Sequence, residues 1–121
     1  MQDYTKIDVW MRSYEFSKEI YGITSSFPDA EKFGLASQVR GAAVSIPINI
    51  VEGSGRNSRK DFANFIQIAI GSASEVECEL LLSKDLNFID DENFSRLCKE
   101  IIVIRKMLIS FRKTLLNYKT P

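Results

Sequence analysis

The residues of this chain with the clearest chemical pattern are cations near its end. Lys99, Lys106 and Lys113 recur every seven residues, and so do Arg105, Arg112 and Lys119. A spacing of seven returns to the same side of an α-helix after two turns, so the two sets predict neighbouring rows of positive charge along one helix. Such rows suit a phosphate backbone, which a protein grips through repeated lysine and arginine contacts. Two other uses remain open: complementing an acidic helix of the same protein or a neighbouring subunit, or meeting a protein partner. The charge distribution sharpens the choice. Residues 61–95 carry eight acids against Lys84, net −7, residues 96–121 carry net +6 and the first sixty residues +1, so a neutral chain is divided into an acidic and a basic stretch.

Arg40, Arg56, Arg59 and Lys60 are further candidate nucleic-acid contacts. Cations at a helix N-terminus are mildly unfavourable, which makes a partner for Arg59 and Lys60 more plausible. Gly53-Ser54-Gly55-Arg56 is glycine-rich but lacks the GxxxxGK[ST] spacing of a phosphate-binding loop. Glu75 and Glu79 lie four apart on one helical side, and Glu52 could approach them across a bundle to give a carboxylate cluster. The bland alternative is glutamates on an exposed acidic face. The chain has no histidine, which removes Ser-His and Cys-His catalysis and the usual di-metal ligand set. Cys78 and Cys98 have no CxxC spacing and read as free, buried thiols. The expectation is a binding protein rather than an enzyme, with no cofactor, no metal and no small-molecule substrate.

These residues must be positioned by helices. Asp8 is placed to cap a first helix running to about Ser26, with Trp10, Ser13, Phe16, Ile20 and Ile23 on one side and Tyr14, Tyr21 and Thr24 flanking. A second runs from between Glu31 and Leu35 to Glu52, where Gly53 and Gly55 would stop it by taking a left-handed conformation. Ser58 and Asp61 form a capping-box variant opening a third, with Phe62, Ile66, Ala69, Ala73, Val76, Leu80 and Ser83 as its seam. Asp90 or Asp91 caps a fourth, whose seam is Phe94, Leu97, Ile101, Ile104, Leu108, Phe111, Leu115 and Tyr118. Short connections between four helices imply an up-and-down bundle. Pro47 lies inside the second helix, removes the amide that would bond the Ala43 carbonyl and should kink the helix there; Asn49 is the expected partner for a freed carbonyl. Ile68, Ile70, Leu81 and Leu82 on the third helix, and Cys98, Ile102, Ile109 and Leu116 on the fourth, lie off the main seams. So wide an apolar arc suits either a broad core or a subunit interface.

The run Ser45-Ile46-Pro47-Ile48-Asn49-Ile50-Val51-Glu52-Gly53, then Gly55-Arg56, resembles the SIPxNIxEGxGR signature of the small four-helix-bundle family encoded in intervening sequences of bacterial 23S rRNA genes. Upstream, Phe27-Pro28, Phe33-Gly34-Leu35, Ser37-Gln38, Arg40 and Ala42-Ala43-Val44 follow the same pattern; downstream, Phe62, Phe65, Ile68-Ala69, Gly71-Ser72 and Glu75 continue it. The resemblance covers roughly residues 8 to 88. It implies an up-and-down bundle assembling into a pentameric ring, as related proteins do, with no established catalytic activity. The accessory protein of diversity-generating retroelements is a similar basic pentamer that works with a reverse transcriptase and nucleic acid. This chain departs from such relatives in its zero net charge and in Gly41, where many have a second arginine beside Arg40.

The sequence thus predicts one all-α domain over 1–121: an antiparallel four-helix bundle with helices at about 8–26, 33–52, 58–87 and 91–118, forming a ring-like homo-oligomer. Pro47, Asn49, Glu52, Gly53 and Gly55 are its structural signature. The expected partners are copies of itself and RNA or a nucleic-acid-associated protein, or, alternatively, a protein held on a scaffold without nucleic acid. No segment reaches the roughly 18 uncharged apolar residues of a membrane span, and Met1 to Trp10 lacks a leader's apolar stretch, so a cytoplasmic protein without membrane contact is expected.

Overall fold

The computed structural model describes residues 3–117. Four long helices account for most of them: α1 Asp8–Thr24, α2 Leu35–Ser54, α3 Arg59–Asp85 and α4 Asp91–Asn117, with single 3-10 turns at Tyr4–Lys6 and Asp29–Glu31. There is no strand among the described residues, and no described helix is long and apolar enough to cross a membrane. All seven expected seam residues of α3 are buried, as are Leu97, Ile101, Ile104, Leu108 and Leu115 of α4. They join Phe16 and Ile20 of α1 and Val39, Ile46 and Ile50 of α2 in one core. Phe94 and Phe111 are half-buried against it, and Tyr118 lies outside the described residues.

Local chemistry sets most of the helix boundaries. Ser58 Oγ accepts the Asp61 amide at 3.0 Å and Asp90 Oδ1 accepts the Asn93 amide at 2.7 Å, each satisfying a donor that the first helical turn leaves free. The start of α1 differs from expectation. Ile7 is the capping residue, with no side-chain cap, and Asp8 is already the first helical residue. α1 also closes two residues early, where Ser25 and Ser26 turn their hydroxyls back to the Gly22 and Ile23 carbonyls. At the end of α3, Asn87 is left-handed at φ 63°. The Phe88 amide reaches the Ser83 carbonyl at 2.8 Å and the Asn87 amide reaches Lys84 at 2.9 Å. This is a Schellman ending built on asparagine.

Of the two glycines expected to stop α2, Gly55 does so without a left-handed conformation and Gly53 does not. Gly53 lies inside α2 and is buried, Gly55 caps it at φ −88°, and no described glycine has positive φ. A Cβ on Gly53 would stand 2.5 Å from Phe62 Cδ1 and 3.0 Å from Phe65 Cβ. Glycine is therefore required by the close approach of α3. Ala42 and Ala43 on α2, with Ala63, Ala69 and Ala73 on α3, are likewise buried, and small side chains of this kind permit close helix packing.

Pro47 does leave the Ala43 carbonyl without its helical partner, but Asn49 does not supply one. Asn49 Nδ2 donates to the Ser45 carbonyl at 2.7 Å and to Ser45 Oγ at 3.0 Å, and Ser45 Oγ shares a hydrogen bond with Ser72 of α3 at 2.9 Å. The Ala43 carbonyl is met from α1 instead, by the buried Ser17 hydroxyl at 3.1 Å, whose one hydrogen is shared with the Ser13 carbonyl at 2.9 Å. The proline thus turns a helix-internal acceptor into a tie between two helices.

Two stability measurements follow from these contacts, both by urea unfolding at one fixed protein concentration. Gly53→Ala gains about 1 kcal/mol of helix propensity but forces a methyl into the Phe62 ring, and overpacking costs about 1–3 kcal/mol; the expected outcome is a net loss. Ser17→Ala should cost about 1 kcal/mol by stranding the Ala43 carbonyl. The same change should cost less than half of that in a Pro47→Ala background, where an amide is again available.

Candidate binding surfaces

The two basic rows of α4 separate in three dimensions. Arg105 turns onto α3, where Nη1 donates to Glu77 Oε1 at 2.5 Å and to Ser74 Oγ at 3.4 Å. Arg112, two turns on, is half-buried, and its buried Nε has no hydrogen-bond partner among the described residues. Of this row, Arg105 therefore pairs with the acidic helix and Arg112 is drawn partly into the bundle. Lys99, Lys106 and Lys113 are all exposed and remain as one outward row. Lys119 lies outside the described residues.

The other candidate cations are mostly engaged. Arg40 Nε donates to Thr24 Oγ1 at 2.7 Å and its guanidinium lies 4.9 Å from the centre of the Tyr21 ring, so it holds the last turn of α1 against α2. Arg56 rests over the Phe65 ring at 4.5 Å and reaches Glu52 at 3.9 Å. Arg59 Nε donates to the Leu115 carbonyl at 3.4 Å, joining the start of α3 to the end of α4. Lys60 is exposed. α1 is fastened to α4 by Arg12, whose Nε and Nη2 donate to Glu100 at 2.7 and 3.0 Å, and by the pair Arg96–Glu19. Exposed pairs of this kind contribute little individually.

The three-carboxylate cluster is not assembled. Glu52 is next to Gly53, which packs on Phe62 and Phe65, and Glu75 lies ten residues further along α3, about 15 Å away. Among the described residues no group of three or more acids, cysteines or histidines is arranged to hold a metal ion. Glu75 is exposed, but Glu79 is buried rather than on an acidic outer face, and its Oε1 lacks a hydrogen-bond partner. Burial first, then the charge of Glu75 and a hydrogen bond with it, push the Glu79 carboxyl up to about 7. The cysteines are free thiols but not buried: Cys78 is exposed and Cys98 half-buried. Burial, and then Glu77, raise the Cys98 thiol above its ordinary value, which leaves it less reactive than an exposed cysteine.

One apolar surface feature is not among the expected sites. Between α1 and α2 runs a groove of about 580 Å³ lined by Tyr4, Trp10, Tyr14, Ser17, Lys18, Tyr21, Val44, Pro47, Ile48 and Val51. Tyr4 meets Trp10 edge-on at 4.9 Å between ring centres, and Trp10 stacks on Tyr14 at 5.0 Å. Tyr14 and Tyr21 stay exposed, because positions four and seven apart on α1 carry the rings past the core and onto its shoulder. That spacing of Trp10, Tyr14 and Tyr21 was the available signal. Among the described residues Lys18 is the charged one in the lining; it pairs with Glu15 at 3.2 Å, and its Nζ lies 5.9 Å from the centre of the Tyr14 ring.

With the signature residues placed in this way, Pro47 in the groove wall, Asn49 on Ser45 and Gly53 against Phe62, comparison with known proteins is decisive. Residues 5–110 match the family described as 23S rRNA-intervening sequence protein. The chain belongs to this family. A solved relative, described as a protein with unknown function from the S23 ribosomal protein family of Bacteroides thetaiotaomicron VPI-5482, is 32% identical with a TM-score of 0.81, over 88% of this chain and 96% of that one. No curated protein matches. The relationship to the 23S rRNA-intervening sequence proteins accounts for the four-helix fold and the signature, while the solved relative brings no stated activity with it.

Glu79 yields a pH prediction. Its carboxyl titrates near 7 when folded and near 4.5 otherwise, so between these values the folded chain holds a proton that the unfolded chain has released. The group's contribution to stability therefore falls as pH rises from about 4.5 to 7 and is level above that. Glu79→Gln keeps the neutral form at every pH. Its stability advantage over wild type should be near zero at pH 4.5 and about 1–3 kcal/mol at pH 8, read from urea unfolding across that range.

Proposed function

We propose that this member of the 23S rRNA-intervening sequence family is a non-enzymatic, homo-oligomeric binding protein, an up-and-down bundle whose copies join through apolar faces and present rows of lysine to RNA. The bundle topology is supported by contacts whose residue numbers run in opposite directions along neighbouring helices. Ser45 pairs with Ser72 and Gly53 with Phe62 between α2 and α3, and Arg105 pairs with Glu77 and Phe111 with Phe62 between α3 and α4.

The observation that carries the oligomer reading is the apolar surface left outside the core. Ile48 and Ile68 are 53% and 52% exposed, and Leu81, Leu82, Leu86, Ile109 and Leu116 are exposed as well. Large apolar side chains left open in this number suit interaction surfaces. A five-membered ring, the order implied by family resemblance, would repeat the Lys99, Lys106 and Lys113 row in each subunit, so weak phosphate contacts would add by avidity. The arginines are not needed for this surface, since Arg105 is paired with α3.

The test is fluorescence anisotropy of a labelled single-stranded RNA over a series of salt concentrations. Wild type should bind at low salt and release the RNA as salt rises. Lys99→Glu/Lys106→Glu/Lys113→Glu should bind at least about tenfold more weakly, with a salt slope shallower by about 2, since each phosphate contact on a single strand contributes about 0.7 to it. An RNA affinity unchanged in this variant would remove the lysine row from the reading, and no binding by wild type below about 0.1 M salt would leave an assembly whose partner is a protein.

A further inference from the structure

We propose, building on the reading that this chain assembles with copies of itself, that Phe33 of one copy fills the aromatic groove between α1 and α2 of the next. Phe33 stands just before α2 and is 90% exposed, by far the most open large apolar residue described. Lys32 Nζ lies 5.6 Å from its ring centre and covers it only in part. A phenyl ring held in water retains the whole hydrophobic gain that burial would release, because phenylalanine buries about 150–250 Å² on docking. Its own groove is out of reach. From Leu35 at the start of α2 to Ile48 in the groove wall is thirteen residues of helix, about 20 Å.

The groove has the matching character. Its volume of about 580 Å³ accommodates the phenyl side chain and the residues flanking it, and its walls offer Trp10, Tyr14 and Tyr21 rings for edge or offset packing above Pro47 and Ile48. Charge does not oppose the contact. Among the described residues Lys18 is the charged one lining the groove, paired with Glu15 at 3.2 Å, and the segment carrying Phe33 has Asp29 and Glu31 against Lys32, net −1. Docking the ring therefore brings the Lys18 side of the groove to a segment of net negative charge and a knob to a hole. Because knob and groove occupy different places on one chain, each copy gives a ring to one neighbour and receives one from another. A contact of that kind closes into a ring when the rotation between copies permits, and the 20 Å offset along α2 requires the bundles to be inclined to its axis.

The experiment uses two surface substitutions, Phe33→Ser on the knob and Ile48→Glu in the groove, each alone and then mixed, followed by size exclusion with light scattering and by emission of Trp10, the single tryptophan of the chain. Each variant alone should assemble at least about 30-fold more weakly than wild type, the loss typical of a central buried anchor. Mixed in equal amounts they should form a heterodimer, since the intact groove of the Phe33→Ser chain can still receive Phe33 from the Ile48→Glu chain, and Trp10 emission should shift to the blue on mixing. Unaltered assembly of Phe33→Ser, or no heterodimer in the mixture, would overturn the proposal while the oligomer stands. A wild-type chain that stays monomeric would remove the oligomer reading and this contact with it. A groove that takes single-stranded RNA or a proline-rich peptide, read by the same Trp10 shift, while Phe33→Ser assembles normally, belongs to another occupant and also overturns it.

Discussion

The close approach of α2 and α3 is the constraint on which the surfaces of this molecule depend. Gly53 has no room for a methyl beside Phe62 and Phe65, and the buried alanines of both helices continue that contact toward the other end. When small residues fill a helix interface, the larger apolar residues on the same helices must go elsewhere. Some enter the core, as Ile46, Ile50, Ile66 and Leu80 do, and others, such as Ile48 and Ile68, face outward. Apolar side chains left open on a folded chain in this way are suited to an interaction surface.

The first helix is held differently. It is tied to α2 by Ser17 on the Ala43 carbonyl and by Arg40 on Thr24, and to α4 largely through ion pairs at its outer edge. The proline that frees Ala43 also lines the shoulder along which the aromatic rings of α1 open to solvent. One residue of the family signature therefore serves both the fold and the groove. Charge on α4 is divided too, since Arg105 pairs with α3 and Arg96 with α1 while Lys99, Lys106 and Lys113 stay outward, in keeping with the greater hydrogen-bonding capacity of the guanidinium group.

Much of this was legible in the sequence because periodicity reports burial. The seams of α3 and α4 and the caps at Ser58 and Asp90 were each readable from local spacing. What could not be read was direction within a helix face. The period of seven shared by Arg105 and Lys106 placed both on rows but could not show that the first turns inward to Glu77. Glycine was equally ambiguous: Gly53 reads as a helix stop from its type alone, and only its neighbours reveal a steric requirement, while the left-handed residue is Asn87. Glu79 looked like one more surface acid because the sequence holds no record of what lies across from it. The aromatic groove is not legible in the sequence because the spacing of Trp10, Tyr14 and Tyr21 places them on the core side of α1 and its flanks and carries no record of what covers them.

The central claim is that the apolar faces of the bundle are covered by other copies of the chain. Sedimentation velocity over a hundredfold range of protein concentration measures this directly. The account predicts a species whose mass is a multiple of 13.8 kDa, five copies if the family order holds, persisting into the micromolar range before it dissociates. A single species of 13.8 kDa at every concentration would contradict it.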